Sequence, residues 1–347
     1  MDSKTKKEAG KKRWQRRDFL KLGLATGGLA LSGGLIYRRW RTHVLPELSA
    51  RAATFIAKVP SYDDNITDVL LDGFNEVGIK PAHIRGKRIF LKPNLVETHA
   101  GHVHINTHPH VIRGAIEAFR KLGAASVLVA EGAGHCRDAL LLLEESGLAD
   151  VLYDCRVRFK DLNYSECFTL PNAGGFSSLP LLVFPDELRR ADVIVSMAKM
   201  KTHHWAGTTL SLKNFFGVMP GSLYGWPKNV LHHAGIEQCI VDINATLKPH
   251  FAIVDGIIGM QGDGPIMGGP KHAGVIVMGN DLAAVDATCS RIMGIKPEKI
   301  PYLALASSAL GPIAEHVILQ RGETIRSVRT TFSLPEHIPV FKQLRES

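Results

Sequence analysis

Short apolar runs rich in β-branched residues recur along this chain: Arg88-Ile89-Phe90-Leu91-Lys92, then residues 126–130 (SVLVA), 192–197 (DVIVSM), 250–255 (HFAIVD) and 274–278 (GVIVM). None keeps the strict polar–apolar alternation of a strand with one wet face, so each predicts a strand buried on both faces. Between them, apolar residues fall at helical spacing. Residues 63–77 carry Ile66, Val69, Leu70, Phe74 and Val77; residues 109–122 begin with Pro109 and are closed by Gly123. Residues 138–146 are closed by Gly147, and 234–248 place Ile236, Cys239, Ile240, Ile243 and Leu247 on one face. Further helices are expected at 281–293 and 299–309. Strands alternating with helices of this length predict an α/β fold: a three-layer, largely parallel sheet flanked by helices. Residues 150–190, with the stretch PNAGGFSSLP, break the pattern and are expected to form a small irregular β-rich insertion.

The formal net charge of +9 on 347 residues invites a nucleic-acid reading, but its location argues otherwise. Residues 1–60 carry fourteen Lys and Arg against four acids, and the remaining 28 bases and 29 acids nearly cancel. The folded body is neutral, and no nucleic-acid partner is expected. The basic segment contains Arg16-Arg17-Asp18-Phe19-Leu20-Lys21 ahead of the Gly-rich, moderately apolar run 22–37. This resembles a twin-arginine export signal, with Gln15 at the position usually held by Ser or Thr. It implies the twin-arginine export machinery as a partner and a periplasmic or extracytoplasmic location. No small-x-small cleavage site follows the apolar run, so either a late-cleaved signal or membrane attachment through residues 22–37 is expected. The organisation expected is a signal or anchor over 1–40, a linker over 41–62, one α/β domain over 63–335 and a tail over 336–347. The five cysteines are scattered without a C-x-x-C pair, so no iron–sulfur cluster is expected.

The chemistry-bearing groups collect at strand ends, where open α/β sheets bind ligands. Lys92-Pro93-Asn94 ends the 88–92 strand. Glu131-Gly132-Ala133-Gly134 ends the next, with Glu131 a candidate base. Lys199, Lys201 and His203 follow the 192–197 strand, and Lys213-Asn214 come soon after. Several ammonium groups converging there suit a phosphate- or carboxylate-bearing ligand. Lys92, Asn94, Lys199, Lys201, Lys213 and Asn214 are therefore the expected ligand-binding residues. His203 and one of His232-His233, with His233 favoured, are expected to move protons. Asp255 opens a Gly-rich stretch that runs through Gly262, Asp263 and Gly264 and can present backbone N–H groups to an anion. Asp255 is also a candidate catalytic carboxylate, and Asp255 with Asp263 are candidate ligands for a divalent metal. A second metal candidate is the run of His99, His102, His104, His108 and His110. The stretch lacks G-K-[ST] and is not a P-loop; Ser211 lacks a G-x-S-x-G elbow, which leaves a serine hydrolase unsupported.

The ordered blocks K-P-N-L, H-P-x-V, E-G-x-G, K-x-K-T-H, S-L-K-N-x-F-G, H-H, V-D-G-I, G-x-G-P and D-x-x-A-V-D resemble the family known as domain of unknown function 362 over roughly residues 60–310. The resemblance implies one α/β domain. Many of that family's members carry an appended ferredoxin-like module with paired C-x-x-C motifs, which are missing here. The functional expectation is an exported protein with a Lys/His/Asp-lined site for an anionic small molecule. It would act as an enzyme of unassigned reaction, with or without the assistance of a divalent metal, or alternatively as a non-catalytic ligand-binding, cofactor-handling or redox accessory protein.

Overall fold

The computed structural model describes residues 51–98, 100–135 and 138–345. The signal-like segment, residues 41–50 of the expected linker, His99 and Cys136 lie outside them. Eight strands form one continuous sheet in the order β11-β1-β10-β9-β7-β2-β3-β4. They are β1 (Ala53–Lys58), β2 (Arg88–Pro93), β3 (Ser126–Glu131), β4 (Phe159–Asp161), β7 (Val193–His203), β9 (Phe251–Gln261), β10 (Gly269–Gly279) and β11 (Leu319–Gly322). β9, β7, β2, β3 and β4 run parallel, as do β1 and β11; only β10 is antiparallel to both of its neighbours. A short strand β8 (Gly207–Thr209) turns back on the end of β7. The small sheet of β5 (Cys167–Pro171) and β6 (Leu181–Pro185) is the expected β-rich insertion. Its loop is held by Asp242, which accepts from Asn172, Phe176 N and Ser177.

The principal helices are α1 (Ile66–Glu76), α2 (Pro109–Lys121), α3 (Ala139–Glu145), α4 (Leu148–Cys155), α5 (Ser211–Asn214), α6 (Asn229–His233), α7 (Ile236–Leu247), α8 (Leu282–Ile292) and α9 (Pro301–Ala309). They divide between the two faces of the sheet. Leu70, Phe74, Ile112, Phe119 and Val151 from α1, α2 and α4 pack on Leu91, Val195 and Ile253. Ile240, Ile243, Val285 and Leu303 from α7, α8 and α9 pack on Phe90, Ile194 and Val254 on the other face. Each fully buried side chain of this size contributes about 1.5–3 kcal/mol. The three-layer α/β architecture is therefore present, with a mixed, mostly parallel sheet.

Two boundaries differ from expectation. Residues 53–58, assigned to a linker, form the buried strand β1 between β10 and β11. Its short run ATFIAK sits beside a basic segment and carries too little pattern to stand out. The Gly-rich stretch after Asp255 is not an open phosphate-binding loop but the hairpin of β9 and β10. Its glycines serve close packing: a methyl at Gly259 would meet the Met200 backbone oxygen at 2.6 Å.

Topology places the ligand crevice. β2 leads to β3 through α2 on one face, whereas β7 leads to β9 through α7 on the other. β2 and β7 are adjacent, so the connections change sides between them, which is where open α/β sheets bind ligands.

Candidate functional site

A cleft of about 790 Å³, its mouth included, opens at the carboxyl ends of β2, β3 and β7. Lys92, Asn94, Glu131, His203, Lys213 and Asn214 line it, together with Gly132, Thr209, Lys228 and His232. Most of the expected residues thus converge, but hydrogen bonding separates them sharply.

Lys92 is buried, and all three of its N–H donors are in use. They go to Glu131 Oε2 at 2.6 Å, the Pro93 carbonyl at 2.8 Å and Asn214 Oδ1 at 2.9 Å. Glu131 accepts in addition from Leu95 N and Gly132 N. The pair is sealed by Gly217, where any side chain would overlap Glu131 Oε1 and Lys92 Nζ. Glu131, expected as a base, is instead the ion-paired partner of a buried cation. Asn214 bonds the Lys92 carbonyl and Ser196 Oγ, which fixes α5 onto β2 and β7.

Lys199 repeats the arrangement on the α1–α2 face. Its ammonium donates to Asp255 Oδ2 at 2.6 Å, Tyr62 OH at 3.0 Å and the Ile258 carbonyl at 3.2 Å. Asp255 also accepts from His108 N and Ile257 N. Asp255 is fully buried and outside the cleft lining, so its expected catalytic and metal roles are not supported by its placement. Asp263 sits elsewhere, half exposed, 3.8–3.9 Å from His204 and His337. The two acids do not form a joint metal site, and among the described residues no three His, Cys, Asp or Glu side chains are placed to hold a metal. His108, from the histidine run, stacks on Tyr62 with ring centroids 3.6 Å apart, and its Nδ1 accepts from His110 N at the start of α2. Gly262 turns at a φ of +79°, and Gly264 packs on the Thr202 carbonyl; neither lines the cleft. The four described cysteines are free thiols.

The remaining lysines are under-bonded. Lys201 is fully buried and donates only to the Pro265 carbonyl at 3.2 Å; burial, followed by the charges of Lys199 and Lys213, pushes its pKa well down. Lys213 projects from α5 into the cleft, with the face of Phe216 5.2 Å away and no acceptor or carboxylate bonded among the described residues. Burial and the charge of Lys92 lower its pKa to about 8. Lys228 donates to Asn163 Oδ1 at 2.5 Å, and burial brings its pKa to about 8 as well. Its backbone is left-handed, at a φ of +73°, a conformation that costs a non-glycine residue about 1 kcal/mol and tends to persist at functional sites.

A four-residue helix such as α5 cannot sustain itself. It is held by Asp286 of α8, which accepts from Ser211 N at 2.7 Å, Leu212 N at 3.1 Å, the Ser211 hydroxyl and Tyr302 OH. Burial without a cation pushes the Asp286 carboxyl up to about 7.

The imidazoles have fixed tautomers. His203 Nδ1 accepts from Trp205 N and Ala206 N, so its proton sits on Nε2 and it presents a donor. His204 Nδ1 donates to the Gly264 carbonyl at 2.6 Å, and His232 Nδ1 to the Lys228 carbonyl at 3.0 Å, so both present an Nε2 lone pair. Burial holds His203 and His232 neutral. His233, the favoured member of its pair, points to solvent; His232 takes the place in the lining. The sequence marks Thr209 only as a hydroxyl that could serve the site or cap the next helix, and it does not single out Lys228 or Asn163. Only the Trp226-Pro227 turn before Lys228 hinted at anything there.

A thylakoid-associated protein of Synechocystis sp. is 25% identical over 258 residues, which cover 72% of this chain and 77% of that one. The crystal structure of a protein from Thermotoga maritima aligns at 12% identity over 67% of this chain and 59% of its own length, with a TM-score of 0.37. A family profile described as a domain of unknown function, DUF362, matches residues 89–291, more than half of the chain, and the chain belongs to that family.

Proposed function

We propose that this is an exported protein whose cleft binds an anionic small molecule through Lys213, Lys228 and the His203 Nε2–H, and that any chemistry performed there is imidazole chemistry. The observation that carries the reading is the pair of cleft lysines without a carboxylate partner. A buried or half-buried ammonium left unpaired is costly and is tolerated where a ligand supplies the counter-charge. The neighbouring Lys92, by contrast, gives all three of its donors to protein acceptors, one of them a carboxylate. Glu131 is ion-paired to Lys92 and Asp255 lies outside the cleft lining, which leaves the His204 and His232 Nε2 lone pairs, neither engaged in an ion pair, to take a proton from a bound ligand. A metal is not part of this reading.

Export rests on the Arg16-Arg17 signature, and the relative described as thylakoid-associated is in keeping with a protein found at a membrane. The apolar run 22–37 would supply such an attachment.

Titration of the full-length chain with phosphate, sulfate and citrate tests the site. At least one should bind at millimolar concentration or tighter, and Lys213→Met should weaken it. Failure of all three to bind would refute the reading. Replacement of Arg16-Arg17 by Lys-Lys should trap the chain inside the cell, and unimpaired export would remove that part.

A further inference from the structure

Resting on that anion site, the arrangement of donors and acceptors around the cleft specifies more than negative charge. Lys213, Lys228 and the His203 Nε2–H supply donors. Three acceptors belong to residues of the same lining. His204 and His232 each present an Nε2 lone pair, because each ring spends its Nδ1–H on a backbone carbonyl. The third is Asn94 Oδ1. Asn214 gives its amide N–H groups to the Lys92 carbonyl and Ser196 Oγ, so its Oδ1 faces Asn94, whose Nδ2 points to it at 3.5 Å. That orientation leaves Asn94 Oδ1 buried and, among the described residues, without a hydrogen-bond partner. Thr209 Oγ1, also in the lining, is likewise buried and has no partner among the described residues. Buried acceptors left unmade are expensive, and a ligand that offers only acceptors cannot satisfy them.

We infer that the cleft selects an oxyanion that also carries a proton donor, such as a hydrogen phosphate or a hydroxylated carboxylate, over an oxyanion of equal charge with no proton to give. Its cations set the charge, and Asn94 Oδ1 with the two imidazole lone pairs reads the proton. A site built to bond an O–H rejects the analogue lacking it far more strongly than an apolar pocket rejects a missing methylene.

Inorganic phosphate and sulfate make the test, since at mildly alkaline pH both are tetrahedral dianions and only hydrogen phosphate carries a proton. Calorimetric titration of the full-length chain with each should show phosphate binding at least about tenfold tighter, the factor expected from one buried acceptor left unsatisfied. In His232→Phe, which removes one of the acceptors, the ratio of phosphate to sulfate affinity should fall. Asn94→Asp, which turns the buried acceptor into a carboxylate, should weaken sulfate much more than phosphate. Equal affinity for the two anions would overturn the selection while leaving the anion site standing. Binding of neither at millimolar concentration would overturn the selection, and failure of citrate as well would overturn the anion site itself.

Discussion

Two regions at the ends of the same strands treat lysine in opposite ways. Lys92 and Lys199 each give all three N–H groups to protein acceptors, one of them a carboxylate at 2.6 Å. Lys213 and Lys228 lie a few residues further into the cleft and meet a ring face, an amide oxygen and open space. The first pair is spent on structure: ammonium and carboxylate compensate each other in a buried setting and bind adjacent strands and loops. The second pair is left with donors to spare, and its pKa values near 8 leave both ammonium groups charged at neutral pH yet close to releasing their protons. A lysine near a site is thus not evidence of ligand binding until its donors are counted.

The largest expected effect lies in the paired region. Glu131→Gln leaves the Lys92 charge uncompensated in the interior and should cost about 3–5 kcal/mol of stability, measured by chemical denaturation. Replacing both partners at once, with Lys92→Met and Glu131→Leu, should recover most of that loss. Equal damage from the single and the double change would dissolve the distinction between the two regions. In the cleft, Lys213→Met should behave oppositely. Stability holds or rises, while affinity for the bound anion falls by about 1.5–3 kcal/mol, roughly ten- to hundredfold.

Smaller effects sharpen the comparison. Asp286→Asn replaces an acceptor by a donor where α5 is held and should cost about 1–3 kcal/mol in thermal unfolding, with weaker anion binding because Lys213 rides on that helix. Lys228→Gly relieves the left-handed backbone, an effect of about 1 kcal/mol, and should lose anion affinity without losing stability. The pH dependence has a definite sign. Folded-state values near 8 for Lys213 and Lys228 lie below the ordinary lysine value of about 10.4. Between the two, the unfolded chain binds more protons, so the ligand-free protein gains stability as pH rises through that window. Anion affinity should fall over the same range as the ammonium groups discharge. Melting curves and titrations across the window check both halves.

Much of this was legible from residues. The β-branched runs and the helical spacings place the sheet and its flanking helices, because burial on both faces leaves no alternation to confuse the pattern. K-P-N, E-G-x-G and K-x-K-T-H do meet at one end of the sheet. The pairing inside the cluster was not legible. Lys92 meets Glu131 only because β2 and β3 are neighbours, and Lys199 meets Asp255 only because β7 and β9 are, facts that strand order decides and spacing does not. Extension of β7 to His203 also turns an apparent loop into strand, in which Lys199 and Lys201 fall on one face and Met200 joins the core opposite. His232 and His233 could not be separated without the helix phase of α6. Lys228 carries its signal in a backbone dihedral, which composition does not reveal.

The most direct test of the division between the two regions is the melting temperature of the full-length chain and of Lys213→Met, each with and without millimolar phosphate. Phosphate should raise the melting temperature of the unaltered chain by binding the folded state. Lys213→Met should melt at the same temperature or higher without phosphate and respond little to its addition. A variant that melts lower on its own, or that gains as much from phosphate as the parent, would place Lys213 with the structural lysines and contradict the account.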